Sequence, residues 1–107
     1  NPVTSLTEDP NNEGRTRFTY VLTDKMDISK GDKFKLEIFT VSGRLVKTFD
    51  LSEHAGIGYH EFPRTALGWD CKDNDGFYLA NGVYFYRFTA KKGNKTVVKT
   101  NKMAILK

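Results

Sequence analysis

Cysteine is nearly absent. The single Cys71 excludes an internal disulfide framework and leaves the redox compartment open. Histidine occurs only at positions 54 and 60, and proline only three times. No apolar run approaches the ~20 residues of a membrane-spanning helix. No stretch has the charged-then-apolar form of a secretory signal. The nine glycines stand singly, so no phosphate-cradling loop is present. A helical i, i+3, i+4, i+7 pattern never persists over ten residues. What remains is a 107-residue chain, the size of one domain, with 13% aromatic residues, enough to form a core despite a mean hydropathy of −0.53. Its first residue is Asn1, which predicts a piece of something longer.

Charge is distributed unevenly. From Arg87 to Lys107 there are seven basic residues and no acidic one. Of the 17 basic and 13 acidic residues, that leaves ten basic and all thirteen acidic in positions 1–86, a net of −3. A basic end on a mildly acidic body suits nucleic acid, anionic headgroups or an acidic protein. The plainer alternative is a solvated strand whose lysines discourage edge pairing.

Along the chain, residues 1–14 read as linker or short edge strand, with Val3–Leu6 the extended piece. Positions 15–107 read as one domain. Arg15–Thr23 alternates with Phe18, Tyr20 and Leu22 on one face, and Lys33–Val41 does the same with Phe34, Leu36 and Ile38. Between them, Asp24–Asp32 is a polar connection into which Met26 and Ile28 tuck. Ser42-Gly43 predicts a two-residue hairpin turn. It returns into Arg44–Leu51, with Leu45, Lys47 and Phe49 on one side and Val46 and Thr48 on the other. Tyr59–Phe62 is a short strand that Pro63 stops or places at an edge. Gly68 and Trp69 then open the densest aromatic stretch: two turn signals, Asn74-Asp75-Gly76 and Asn81-Gly82, followed by Val83–Phe88. Lys95–Leu106 is a last strand of imperfect alternation, which predicts a bulge or a mid-strand twist. About seven strands with frequent turns predict an all-β, Ig-like antiparallel sandwich, an open barrel being the second choice.

Little of this carries chemistry. Asp70, Asp73 and Asp75 ahead of Gly76 have the look of a calcium loop, yet Cys71 and Gly82 occupy the end positions where carboxylates are needed. The alternative is that Asp70 and Asp73 cap turn amides, and no metal is expected. Cys71, His60 and Asp70 form a conceivable nucleophilic trio, but Asp70 opposes thiolate formation next door. No catalytic residue or cofactor is expected. Tyr84, Tyr86 and Phe88 share one strand face and read as core, whereas Phe77 and Phe85 fall elsewhere and are candidates for exposed stacking surfaces.

Two segments carry a family resemblance: Ile38–Val46 (IFTVSGRLV) and Trp69–Tyr86 (WDCKDNDGFYLANGVYFY). They resemble the Ig-like domain of flagellar hook-capping proteins. They are still more similar to the C-terminal sorting domains of Bacteroidetes type IX secretion cargo, including the tail of that system's gingipain-type sortase. The matching positions are Gly43, Arg44, Trp69, Asp70, Asp73, Gly76, Gly82, Tyr84 and Tyr86, with Cys71 standing where the pattern has Gly and Pro63–Gly68 lengthening the approach to the tryptophan.

The resemblance implies a non-catalytic address or anchor at the outer membrane or cell surface. Its partners would be the translocon, shuttle and attachment proteins of the secretion machinery and the preceding domains of the same polypeptide. No nucleic acid is expected. The proposed recognition element is the last strand, through Lys99, Lys102, Met103, Ala104, Ile105, Leu106 and Lys107. A carbohydrate- or surface-binding module using Phe77, Phe85 and the Lys91/Lys92 turn is one alternative, and a structural assembly domain of hook-capping type is another.

Overall fold

The computed structural model describes residues 3–12, 15–63 and 68–106, with side chains from Thr16 onward. Seven strands form: β1 Val3–Asn12, β2 Arg15–Leu22, β3 Lys33–Thr40, β4 Leu45–Asp50, β5 Gly58–Phe62, β6 Gly82–Lys92 and β7 Lys95–Ile105. They make two antiparallel sheets, one in the order β1-β2-β5 and the other β4-β3-β6-β7. The all-β, Ig-like sandwich is therefore the observed fold. β1 pairs with β2 as far as Asn12 and so extends well past the Val3–Leu6 piece expected at the edge.

Alternation explains the layering. Phe18, Tyr20 and Leu22 of the three-stranded sheet face Phe34, Leu36 and Ile38 of β3 and Tyr84, Tyr86, Phe88 and Ala90 of β6, and all of them are buried. Their rings interlock: Phe18 lies 5.2 Å from Tyr86, and Tyr20 lies 5.2 Å from Phe34 and 5.1 Å from Phe88, all at steep interplanar angles. Trp69 closes one end against Phe18 and Phe49. Its indole Nε1 donates to the Lys72 carbonyl at 3.2 Å. Met26 is buried as expected, whereas Ile28 remains partly exposed.

Three local expectations are corrected. β7 pairs with β6 in unbroken register from Lys95 to Ile105, so it carries no bulge. Its weak alternation arises because Lys99 and Asn101 lie on the inward parity near the sheet's edge. The register shift sits in β4 instead, where Ile38 opposes Lys47 and Phe39 opposes Leu45. That extra residue turns Val46 inward and leaves Leu45 exposed, while Phe49 packs against Trp69. The β3–β4 turn holds three residues rather than two. The Thr40 amide donates to the Arg44 carbonyl at 2.9 Å around Val41, Ser42 and Gly43, and Gly43 adopts a φ of 92°.

Candidate interaction edges

A sandwich has four edge strands, each a row of backbone groups able to accept another strand. On one side of this molecule the edges are managed by the segment from Trp69 to Leu79. Trp69 extends the β2 ladder beyond β5, exchanging hydrogen bonds with Thr16 at 2.7 and 2.9 Å. Five residues later the same segment reaches the other sheet. The Asn74 amide donates to the Val46 carbonyl at 3.0 Å, and the Asn74 Oδ1 accepts the Thr48 amide at 3.2 Å. One loop thus clips both sheets together and covers the middle of β4.

The acidic turn in that loop is built by its own carboxylates. Asp73 Oδ1 accepts the amides of Asp75 and Phe77, each at 2.9 Å, and Asp70 Oδ1 accepts that of Lys72 at 3.2 Å. Gly76 closes the turn by donating its amide hydrogen bond to the Asp73 carbonyl at 3.1 Å. The capping alternative for Asp70 and Asp73 thus describes the geometry seen. Cys71, at φ 62°, occupies a backbone position that favours glycine, and its buried thiol lies 3.6 Å from Thr16 Oγ1. His60 stacks on Tyr20 and meets the Gly56 carbonyl at 2.6 Å through Nε2. Thr16 and Tyr20 are four residues apart on β2, about 13 Å. The conceivable Cys71–His60 pair is therefore not brought together.

The opposite edge of the four-stranded sheet is β7, eleven residues long, with β6 as its one ladder partner among the described residues and β1 of the other sheet lying close by. The structure divides the proposed recognition set. Met103 is 3% exposed and Ile105 1%, both packed in the core, so their side chains hold the strand in place and cannot meet a partner. Ala104 and Lys99 are half-buried. Lys102 and Leu106 are exposed, and Lys107 lies outside the described residues. The motif residues Trp69, Tyr84 and Tyr86 are buried; the Tyr84 hydroxyl donates to the Ala80 carbonyl at 2.8 Å. Arg44 is exposed beside the β3–β4 turn, and Gly82 opens β6 opposite Ile105.

The ends of β6 and β7 are pinned by Asp32, whose burial sequence reasoning missed. Its Oδ2 accepts the Asp27 amide at 2.7 Å and its Oδ1 accepts the Gly93 amide at 3.1 Å, and these two donors hold its carboxyl below the usual range. Nearby, Lys92 Nζ lies 2.7 Å from Asp24 and lowers that carboxyl as well.

This arrangement of two sheets, a tryptophan-anchored clip and an open last strand can be set against known proteins. The FlgD Ig-like domain model matches residues 5–95. The chain belongs to that family. None of the curated proteins matches it. Among solved structures, truncated FlgD from Helicobacter pylori superposes with a TM-score of 0.66 at 20% identity, covering 96% of this chain and 68% of the other. At that identity the likeness speaks for the fold alone. The FlgD-type Ig-like domain seen here thus has its family from the sequence match and its sandwich fold in common with the solved structure.

Proposed function

We propose that this FlgD-type Ig-like domain is a non-catalytic assembly module, which joins the polypeptide carrying it to a larger structure as a hook-capping domain would. The observation that supports the reading is the asymmetry of the edges. The middle of β4 is covered by Asn74, whereas β7 presents eleven residues in regular register and, among the described residues, hydrogen-bonds to no strand but β6, although β1 of the other sheet lies close by. A regular edge adds a partner strand through main-chain bonds, and its lysines, Lys102 exposed and Lys99 half-buried, select against copies of itself and for acidic partners. The test is cross-linking and sedimentation of the chain in the presence of its parent protein's neighbouring domains. Association that is weakened by the double variant Lys99→Glu/Lys102→Glu supports the reading. Association unaffected by it, or none at all, removes it.

A second reading, export through type IX secretion with anchoring at the outer membrane or cell surface, is favoured by Lys102 and Leu106, exposed at the end of the same edge. Fusion to a reporter in a type IX host separates the two. Removing 103–107 is unsuitable, because it deletes the core residues Met103 and Ile105. The charge-reversed double variant keeps Met103 and Ile105 in place, and it should strand the reporter in the periplasm if β7 is read as an address.

The carbohydrate alternative finds less support. Phe77 is 71% exposed on the acidic loop, whereas Phe85 lies half-buried in a hollow with Phe39 and Arg87. Lys91 stands six residues from Phe85 along β6, about 20 Å away.

A further inference from the structure

The register of the four-stranded sheet segregates its outward side chains. Along one end, Phe39 of β3 lies beside Phe85 of β6 and Leu45 of β4, and Val83 follows one step on. Phe39 and Phe85 are half-buried, Leu45 and Val83 more open, and Val41 in the adjoining turn is 66% exposed. Toward the other end the outward positions include Lys33 and Lys35 on β3, Lys91 on β6 and Val98 on β7, while Lys102 of β7 stands at the apolar end beside Phe85.

Of the two outward acids on this face, one is neutralised and one is hydrogen-bonded to neutral groups. Glu37 is buried and held by Arg87 at 3.0 Å and Lys35 at 3.6 Å, and Asp50 accepts the amide and hydroxyl of Ser52 at 2.9 and 2.6 Å. The face is therefore mainly apolar at the Phe39–Phe85 end, with Lys102 at its margin, and mainly basic at the other end, where Asp50 is the exposed acid.

Where the halves meet there is a hollow of about 280 Å³, walled by Phe39, Val41, Phe85, Arg87 and Thr100. The Arg87 guanidinium lies 4.6 Å over the Phe39 ring, which fixes it at the rim, and it keeps donors beyond the one given to Glu37. The hollow is open to solvent, and with Phe39 and Phe85 half-buried along it, it offers an inserted apolar side chain two ring surfaces.

We infer that this outer face is a second docking surface, separate from the β7 edge, for a peptide segment of a partner protein that presents one large apolar side chain flanked by carboxylates. The apolar side chain fills the hollow between Phe39 and Phe85, as an anchor residue fills an interface pocket. Its acidic neighbours meet Arg87 and Lys102, which set orientation and approach.

The test uses the ¹⁵N-labelled chain and a blocked heptapeptide with a central leucine between Asp and Glu residues. The expected result is saturable movement of the Phe39, Val41, Phe85 and Thr100 amides at submillimolar to millimolar peptide, weakened by salt. Replacing leucine by alanine, or the acids by lysine, should weaken binding about tenfold or more. Lys102→Glu should do the same toward the acidic peptide and favour the lysine one, and because that residue is exposed the variant keeps its fold. Phe85→Ser is the second variant, and its fold is checked by the same spectrum. No shifts at millimolar peptide, shifts confined to β7 edge amides, or equal binding of the lysine peptide would overturn the inference. So would binding to phosphatidylcholine vesicles containing phosphatidylglycerol with none to the peptide. Phe85→Ser, which leaves the β7 main-chain edge in place, separates this inference from the edge reading: lost peptide binding with unchanged assembly assigns the peptide to the face and assembly to the edge.

Discussion

Asn74 stands in for a strand beside Val46. Its amide donates to the Val46 carbonyl and its side-chain oxygen takes the Thr48 amide, so one residue satisfies two open positions on the β4 edge. Replacing it by alanine removes the second bond. We expect Asn74→Ala to lower unfolding free energy by about 1 kcal/mol, measured by urea titration. Bared β4 should also raise self-association in sedimentation at high concentration.

Gly68 tests the clip from its other end. A Cβ there would stand 2.8 Å from the Thr16 carbonyl oxygen and 3.3 Å from its carbon, and the φ of 74° disfavours any side chain. The obstructing atoms are backbone in the Thr16–Trp69 pairing, so they cannot swing aside. Gly68→Ala should cost about 2 kcal/mol or more. An unchanged denaturation midpoint would refute the close approach.

Cys71 should tolerate change in one direction only. Its left-handed backbone excludes β-branched side chains, so Cys71→Val is expected to destabilise by about 2 kcal/mol or more. Cys71→Gly relieves the backbone while losing the buried thiol, and the two effects should nearly cancel. Paired melting curves check both. In the native protein the thiol should react with a soluble disulfide reagent only as fast as the core opens.

Asp32 gives the pH dependence a defined sign. Its carboxyl is depressed by the Asp27 and Gly93 amides, so its stabilisation is fully present above the unfolded value of about 4 and lost as pH falls through the lower folded one. Asp32→Asn should therefore be less stable than the parent at neutral pH, and the gap should narrow below about pH 4. A gap constant from pH 7 to 3 would show that charge plays no part in the pinning.

The two motif tyrosines should differ in kind. Tyr84→Phe loses only the bond to the Ala80 carbonyl, about 1 kcal/mol. Tyr86→Ala empties the centre of the ring cluster and should cost about 3–5 kcal/mol. Chemical denaturation of the two side by side distinguishes a hydrogen bond from a packing role.

Most of the layering was legible in the sequence alone. Phe18, Tyr20 and Leu22, then Phe34, Leu36 and Ile38, then Tyr84, Tyr86 and Phe88 are spaced two apart, and a two-residue period admits one burial pattern for an extended chain. The Asp73–Gly76 turn was equally legible, because its carboxylate and glycine act on amides within four residues. What the sequence could not show is which strand lies at which edge, since that depends on contacts between residues far apart in the chain. Nothing local marks Val46 as the site of a bulge, Asn74 as the cover for β4, or Asp32 as a pin between two turns. Likewise Met103, Ile105 and Lys102 look equivalent in a lysine-bearing tail. Only pairing with β6 turns the first two into the core and leaves the third in solvent.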